Sequence, residues 1–294
     1  MKNFKKIVAG ILVIALIAAV VATVINIVLA KTDKKHNPVV TMEIEGYGNV
    51  KLELDPEAAP NTVKNFIRLA QRGYYNGKTF SDVQEGLVVG GLDDVSGDEK
   101  KEMVAPKLSN IKDLAEGEED KEYTIPGEFI EKGHKNMLSH QRGVISMTRT
   151  TYNDFQQEIA MIQMIGYGDY INGVVDKMYD SQAAGFFILT EDEIGYDGTY
   201  SAFGRVVDGM DIIDRISKLE LEKSTDSEGK ETAGTGIVNA PVIKNVTVDT
   251  YGVDYGVPET EDAYDFEAIF NFLIQNYMQS QNSTTDTSGN TTNQ

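Results

Sequence analysis

The chain has no cysteine among its 294 residues. That excludes disulfides, thiol nucleophiles and cysteine-ligated zinc. Histidine is scarce too: His36, His134 and His140 are the only three, and no metal-ligand spacing relates them. Basic residues are outnumbered, with 27 Lys and Arg against 46 Asp and Glu and a net charge of −19. An acidic surface of this kind excludes binding to a nucleic-acid backbone, which needs cations. The charge reads as a solubility device. The acidic stretch Asp94 to Lys121 has few large apolar residues and lacks the D-x-[DN]-x-[DN]-G pattern of a calcium loop, so an exposed loop is expected. Ser280 to Gln294 has no large apolar residue at all and is expected to be disordered.

What is present begins with one long apolar run. Lys2, Lys5 and Lys6 precede Ile7 to Ala30, which only Thr23 and Asn26 interrupt. As a helix the run spans about 36 Å, enough for a hydrocarbon core of roughly 30 Å. Residues 1–30 are read as a cytoplasmic stub and an uncleaved transmembrane signal anchor. The bulk of the chain is then extracytoplasmic, on a single-pass cell-membrane protein. The alternative is secretion after cleavage at Val28-Leu29-Ala30. Residues 31–38 form a polar linker.

Val39 to Leu54 alternates apolar and polar residues around Gly46-Tyr47-Gly48-Asn49, the pattern of a β-hairpin. Pro60 then suits the first turn of a helix. Val63, Phe66, Ile67 and Ala70 give that helix one apolar face, and Gly73 suits its end. Asn76-Gly77 marks a turn, and Phe80 to Val89 is strand-like. Two short helices are predicted within 153–179, with Gly166-Tyr167-Gly168 between them. Leu219 to Gly236 reads as a polar loop and Pro241 to Val248 as a strand. Phe266, Ile269, Phe270, Leu273, Ile274 and Tyr277 place an amphipathic helix in 262–279. It either packs back on the domain or meets a partner.

Three stretches carry a resemblance. Ala59, Pro60, Thr62, Asn65 and Phe66, then Gly73, Tyr75, Gly77 and Phe80, fit A-P-x-T-x-x-N-F followed by G-x-Y-x-G-x-x-F. Tyr123 to Phe129 fits Y-x-I-x-G-E-F, and Asn136 to Met147 fits N-x-L-x-H-x-R-G-V-x-S-M. Phe186-Phe187 and the run Asp197, Gly198, Phe203, Gly204 and Val206 extend the match. The chain resembles the cyclophilins, the barrel-type peptidyl-prolyl isomerases, over about residues 39–250 apart from insertions at about 94–121 and 153–179. The resemblance implies a mainly β fold: a closed eight-stranded antiparallel barrel with two capping helices. The first insertion would be a loop. The second would be a helical hairpin on the barrel wall, or a lid or partner surface beside the substrate groove.

The resemblance also assigns a site, with no cofactor and no metal. The family continues Phe-His-Arg-Val where this chain has Phe80-Ser81-Asp82-Val83, so Asp82 stands at the catalytic Arg position. Leu87 and Val88 fall on the pocket Phe and Met, Gly90 on the groove Gln, and Thr148 and Arg149 on the groove Ala and Asn. Phe187 falls on the second pocket Phe, Tyr196 on the pocket Leu, and Tyr200 on the groove His or Tyr. Arg149 is the nearest residue that could replace the lost donor; the alternative is a solvated surface arginine. His140 reads as a buried structural residue, because no nucleophile accompanies it. The expected activity is weakened prolyl isomerisation on exported or cell-envelope proteins. The alternative is a binding module for proline-containing segments that does not turn over.

Overall fold

The computed structural model describes residues 36–92, 105–225 and 230–286. The expected membrane anchor, most of the expected linker, part of the acidic stretch and the end of the polar tail lie outside these residues. Among the described residues no helix is long and apolar enough to cross a membrane. The chain divides into two compact units, residues 1–36 and residues 37–294, and the second carries the architecture below.

Strands β1 (Val39–Ile44) and β2 (Gly48–Leu54) form the expected hairpin. Val40, Met42 and Ile44 on β1 and Val50, Leu52 and Leu54 on β2 all turn to the core, as period-2 patterning requires. Helix α1 (Pro60–Gln71) starts at its proline and buries Val63, Phe66, Ile67 and Ala70 together with Leu69. Its N-terminal amides are met by the buried Glu128 carboxylate, which accepts from Asn61 N at 2.9 Å and Thr62 N at 2.7 Å. An anion at that end also complements the helix dipole. Gly73, at φ +73, closes the helix in the left-handed conformation that a side chain would resist.

Next come β3 (Thr79–Gln84), β4 (Leu87–Leu92), the two-residue β5 (Tyr123–Thr124) and β6 (Val144–Met147). Helices α2 (Gln156–Met164) and α3 (Gly168–Tyr179) follow, then β7 (Phe186–Leu189) and β8 (Ala202–Asp208). Helix α4 (Met210–Ile216) buries Ile212, Ile213 and Ile216. The rest is β9 (Leu221–Thr225), β10 (Glu231–Ile237), β11 (Ile243–Asp249), β12 (Glu261–Asp262) and helix α5 (Phe266–Asp286).

The sheet runs in the order β11-β1-β2-β8-β6-β7-β4-β3-β10-β9. This differs from the expected eight-stranded closed barrel. The ladder has ten strands, and β11 and β3 meet only at an isolated bridge between Thr79 and Val242. Two bonds flank that bridge, Phe80 N to Pro241 O at 2.9 Å and Ile243 N to Lys78 O at 2.7 Å. The edge of β3 instead takes up the β9–β10 hairpin, with Gly236 opposite Asp82. That hairpin occupies the segment read as a polar loop. Most of its residues are polar, and it is held at its base, where Ile237 enters the main core with Leu221 beside it, and by pairing to the β3 edge.

Among the described residues three apolar clusters are distinct, and the third, on the outer face of the sheet, belongs to the site below. The main core stacks Phe66, Tyr75, Phe80, Phe186 and Phe203, with Phe66 and Phe203 centroids 5.2 Å apart. The second joins Ile159 and Ile162 of α2, Ile171, Val174 and Met178 of α3, and Phe266, Phe270 and Leu273 of α5. The predicted insertion and the predicted C-terminal helix therefore cover one another. Strand β12 ties this helical unit back by pairing with β5, and Lys177 meets Glu261 at 3.1 Å.

Candidate active site

The register places the site residues in rows across the sheet. One row reads Ala202, Ser146, Phe187, Val89, Asp82 and Gly236 from β8 to β10. The next reads Gly204, Ile145, Ile188, Val88 and Val83. Directly paired residues share a face and adjacent rows face opposite ways. The first row faces outward, where Leu87, Val89, Val144, Phe187, Leu189 and Ala202 cluster under Tyr196 and Tyr200. The second row faces the main core.

This sorts the expected residues. Leu87, Phe187, Tyr196 and Tyr200 come together as the resemblance implies. Val88 does not: it lies in the main core, and Val89 takes the outward place. Alternation along β4 decides this: Leu87 and Val89 face outward, so Val88 and Gly90 face the core, while the extra residue Ser81 on β3 lets Asp82 pair with Val89 and Phe80 with Gly90. Gly90 offers no groove position either. A Cβ there would lie 2.9 Å from the Phe80 ring and 3.0 Å from the Phe186 ring, both in the core. Thr148 sits beside Gly185, whose amide oxygen accepts from Thr148 N at 3.0 Å. A Cβ at Gly185 would meet Thr148 Oγ1 at 2.5 Å and Leu92 at 2.9 Å, so only glycine fits there without a shift.

The apolar floor is roofed. Phe187 meets Tyr200 edge-on at 5.3 Å and Tyr196 at 5.9 Å, the two tyrosines lie 5.1 Å apart, and Phe187 is 3% exposed. Burial raises the pKa of both tyrosines, so both stay neutral phenols. The open cavity nearby, about 200 Å³, is lined by Ile130, Met137, Leu138, His140, Asp197 and Tyr200 among others, and does not reach Phe187.

Asp82 is held by hydroxyl donors. Ser81 Oγ donates to Oδ2 at 2.8 Å and Thr235 Oγ1, from the added hairpin, to Oδ1 at 3.2 Å. An ionised carboxylate is an acceptor only, so it cannot donate to a prolyl amide as arginine would. Arg149 is engaged by other partners. Its Nε donates to Thr199 O at 2.9 Å and its Nη1 to Thr150 O at 3.0 Å. Its guanidinium lies over three rings: Tyr200 at 4.9 Å, Tyr179 at 5.1 Å and Phe129 at 5.4 Å. The expected replacement donor is thus a pin in an aromatic box. Nor is it the solvated surface arginine of the other reading.

Beneath the tyrosines lies a buried hydrogen-bonded chain, Asp197–His140–Ser146. His140 Nδ1 donates to Asp197 Oδ1 at 2.9 Å, so its neutral Nε2 accepts from Ser146 Oγ at 2.8 Å. Ser146 is 0% and His140 1% exposed, so no substrate reaches the hydroxyl. Burial lowers the His140 pKa, against the opposing pull of Asp197. Burial pushes Asp197 up, but bonds from Ser139 and from His140 outweigh it and hold the carboxyl below its usual range. The imidazole stacks on Phe187 at 6.3 Å and meets Tyr196 edge-on at 6.0 Å, so it backs the pocket wall.

Sequence reasoning missed Val89, Tyr179 and Phe129. Alternation counted from Leu87 would have put Val89 on its face; nothing local marks the two rings. Among the described residues no group of acidic or imidazole side chains is arranged to hold a metal.

Residues 39–163 and 171–248 match the family described as cyclophilin type peptidyl-prolyl cis-trans isomerase/CLD. Peptidyl-prolyl cis-trans isomerase A of Dickeya dadantii (strain 3937) is 28% identical over 202 residues, 67% of this chain and 80% of that protein. Peptidyl-prolyl cis-trans isomerase B of Bacillus subtilis (strain 168) is 26% identical over 186 residues, 63% of this chain and 95% of that protein. A solved Cryptosporidium parvum cyclophilin type isomerase covers 73% of this chain and 98% of its own at 18% identity, with a TM-score of 0.46. The chain belongs to the cyclophilin-type peptidyl-prolyl cis-trans isomerase family.

Proposed function

We propose that this protein engages proline-containing segments of exported or cell-envelope polypeptides and isomerises them slowly. Twisting a prolyl bond loses amide resonance, and a catalyst must favour the twisted amide. No nucleophile or proton shuttle is needed. The observation that carries the reading is Asp82, an acceptor bonded by Ser81 and Thr235 at the family's arginine position. Loss of one preorganised donor costs about 2.7–4 kcal/mol, roughly 100- to 1,000-fold in rate. In this reading the apolar run Ile7 to Ala30 anchors the chain in the membrane with the isomerase domain outside. The bridge between Thr79 and Val242 acts as the seam of an eight-stranded barrel.

A second reading, binding without turnover, draws on the roof over Phe187. A proline ring can reach that floor only if Tyr196 or Tyr200 swings away. NMR exchange on an Xaa-Pro peptide with the full chain and its Asp82→Arg variant separates the two. Slow turnover that rises about 100-fold in the variant supports the weakened isomerase. Peptide binding with no turnover in either protein supports the binding module. No binding and no turnover would overturn both.

A further inference from the structure

We propose that the α2–α3 hairpin carries a second polypeptide-binding surface, which takes apolar, cationic segments and does not require proline. Ile159 and Ile162 point into the helical cluster. Met161 and Met164 project from the opposite side of α2, and Met164 is 81% exposed. Tyr167, in the turn, and Tyr170, at the start of α3, continue the strip, with Tyr170 55% exposed. Four large side chains at three-residue intervals thus lie outside both cores. Methionine adapts to many apolar shapes, and tyrosine offers apolar area with a polar tip.

Charge selects the occupant. Asp154, Glu158, Asp169 and Asp176 lie on the same segment, and its one cation, Lys177, is paired with Glu261. A second copy of this chain, or an anionic lipid surface, would bring like charge to the strip. A lysine- or arginine-bearing apolar segment meets it with complementary charge. The far end of the same hairpin is tied to the pocket wall: Tyr179, the last residue of α3, packs against Arg149, whose guanidinium covers Tyr200. The surface stands independently of the isomerase reading, because it is separate from Phe187 and Asp82.

The test uses the full chain in zwitterionic nanodiscs, with empty nanodiscs as the control. The probe is a fluorescent peptide of Leu, Ala and Lys without proline, beside the same peptide with Glu for Lys. Binding of the Lys peptide is expected to weaken about tenfold in the double variant M161S/M164S, and to weaken with added salt as surface charge is screened. Both methionines are exposed, so the variant should keep its fold, which circular dichroism checks. Equal binding by the variant would overturn the proposal. So would equal capture of the Glu peptide, absence of Lys-peptide binding, or concentration-dependent self-association abolished by M161S/M164S.

Discussion

At the scale of single residues, Arg149 and His140 do their work through other side chains. Arg149 spends Nε and Nη1 on backbone carbonyls and its planar face on three rings. An exposed cation–π contact is worth about 0.5–1 kcal/mol and a desolvated one about 2. Arg149→Ala is therefore expected to lower stability by about 1–3 kcal/mol in urea denaturation, on those per-contact values. Its effect on function separates pin from donor. As a pin, its loss frees Tyr200 and leaves prolyl turnover unchanged or raised. As a donor to the substrate, its loss would abolish turnover, which NMR exchange would detect.

His140 makes stability depend on pH. Burial keeps its imidazole neutral in the fold, whereas in the unfolded chain it takes a proton near pH 6.5. Below that pH the unfolded state binds more protons, so stability falls as acid is added until the folded-state pKa is passed. The urea midpoint should be lower at pH 5 than at pH 7.5. His140→Gln should reduce that difference even though its own midpoint is lower throughout. Asp197 acts in a separate, more acidic window: its carboxyl is held below the usual range, so its contribution is lost only as pH falls below about 3.9. An unchanged slope between pH 5 and 7.5 in the His140 variant would count against this account.

At the scale of elements, the added pieces have clear partners. The β9–β10 hairpin supplies Thr235 to Asp82, and α5 supplies Phe266, Phe270 and Leu273 to α2 and α3. Phe270 is 1% exposed and touches Phe155 at a centroid distance of 5.1 Å. Phe270→Ala should cost about 3–5 kcal/mol where it is packed. The loss should stay local, because the helical cluster is separate from the main core. Hydrogen exchange is expected to speed up in α2, α3 and α5 and to remain slow in β1 and β2. Equal acceleration in β1 and β2 would mean that the two clusters unfold as one.

At the scale of the molecule, legibility follows from how locally each feature is encoded. The hairpin β1–β2, helix α1 and the motif around His140 are short-range patterns, and each stands where its residues predict. The outward cluster of Leu87, Phe187, Tyr196 and Tyr200 was also legible, by resemblance. Val88 and Gly90 were misplaced because positions carried over from a linear motif ignore the strand's own alternation, which puts Leu87 and Val89 on one face and Val88 and Gly90 on the other. The faces of 153–179 and 262–279 were visible as apolar stripes. A stripe records that a face needs cover and not which element covers it, so their union required the three-dimensional fold.

That union sets a timetable for the nascent chain. Helix α3 ends at Tyr179, and the helix that covers it begins only at Phe266. At about 5–20 residues per second, synthesis leaves Ile159, Ile162, Ile171 and Val174 uncovered for several seconds after they emerge. A chain interrupted in that interval would carry the motifs of the sheet and an open apolar flank at once. An unfinished copy and a finished one therefore differ in a single visible way, the apolar flank that only α5 can cover.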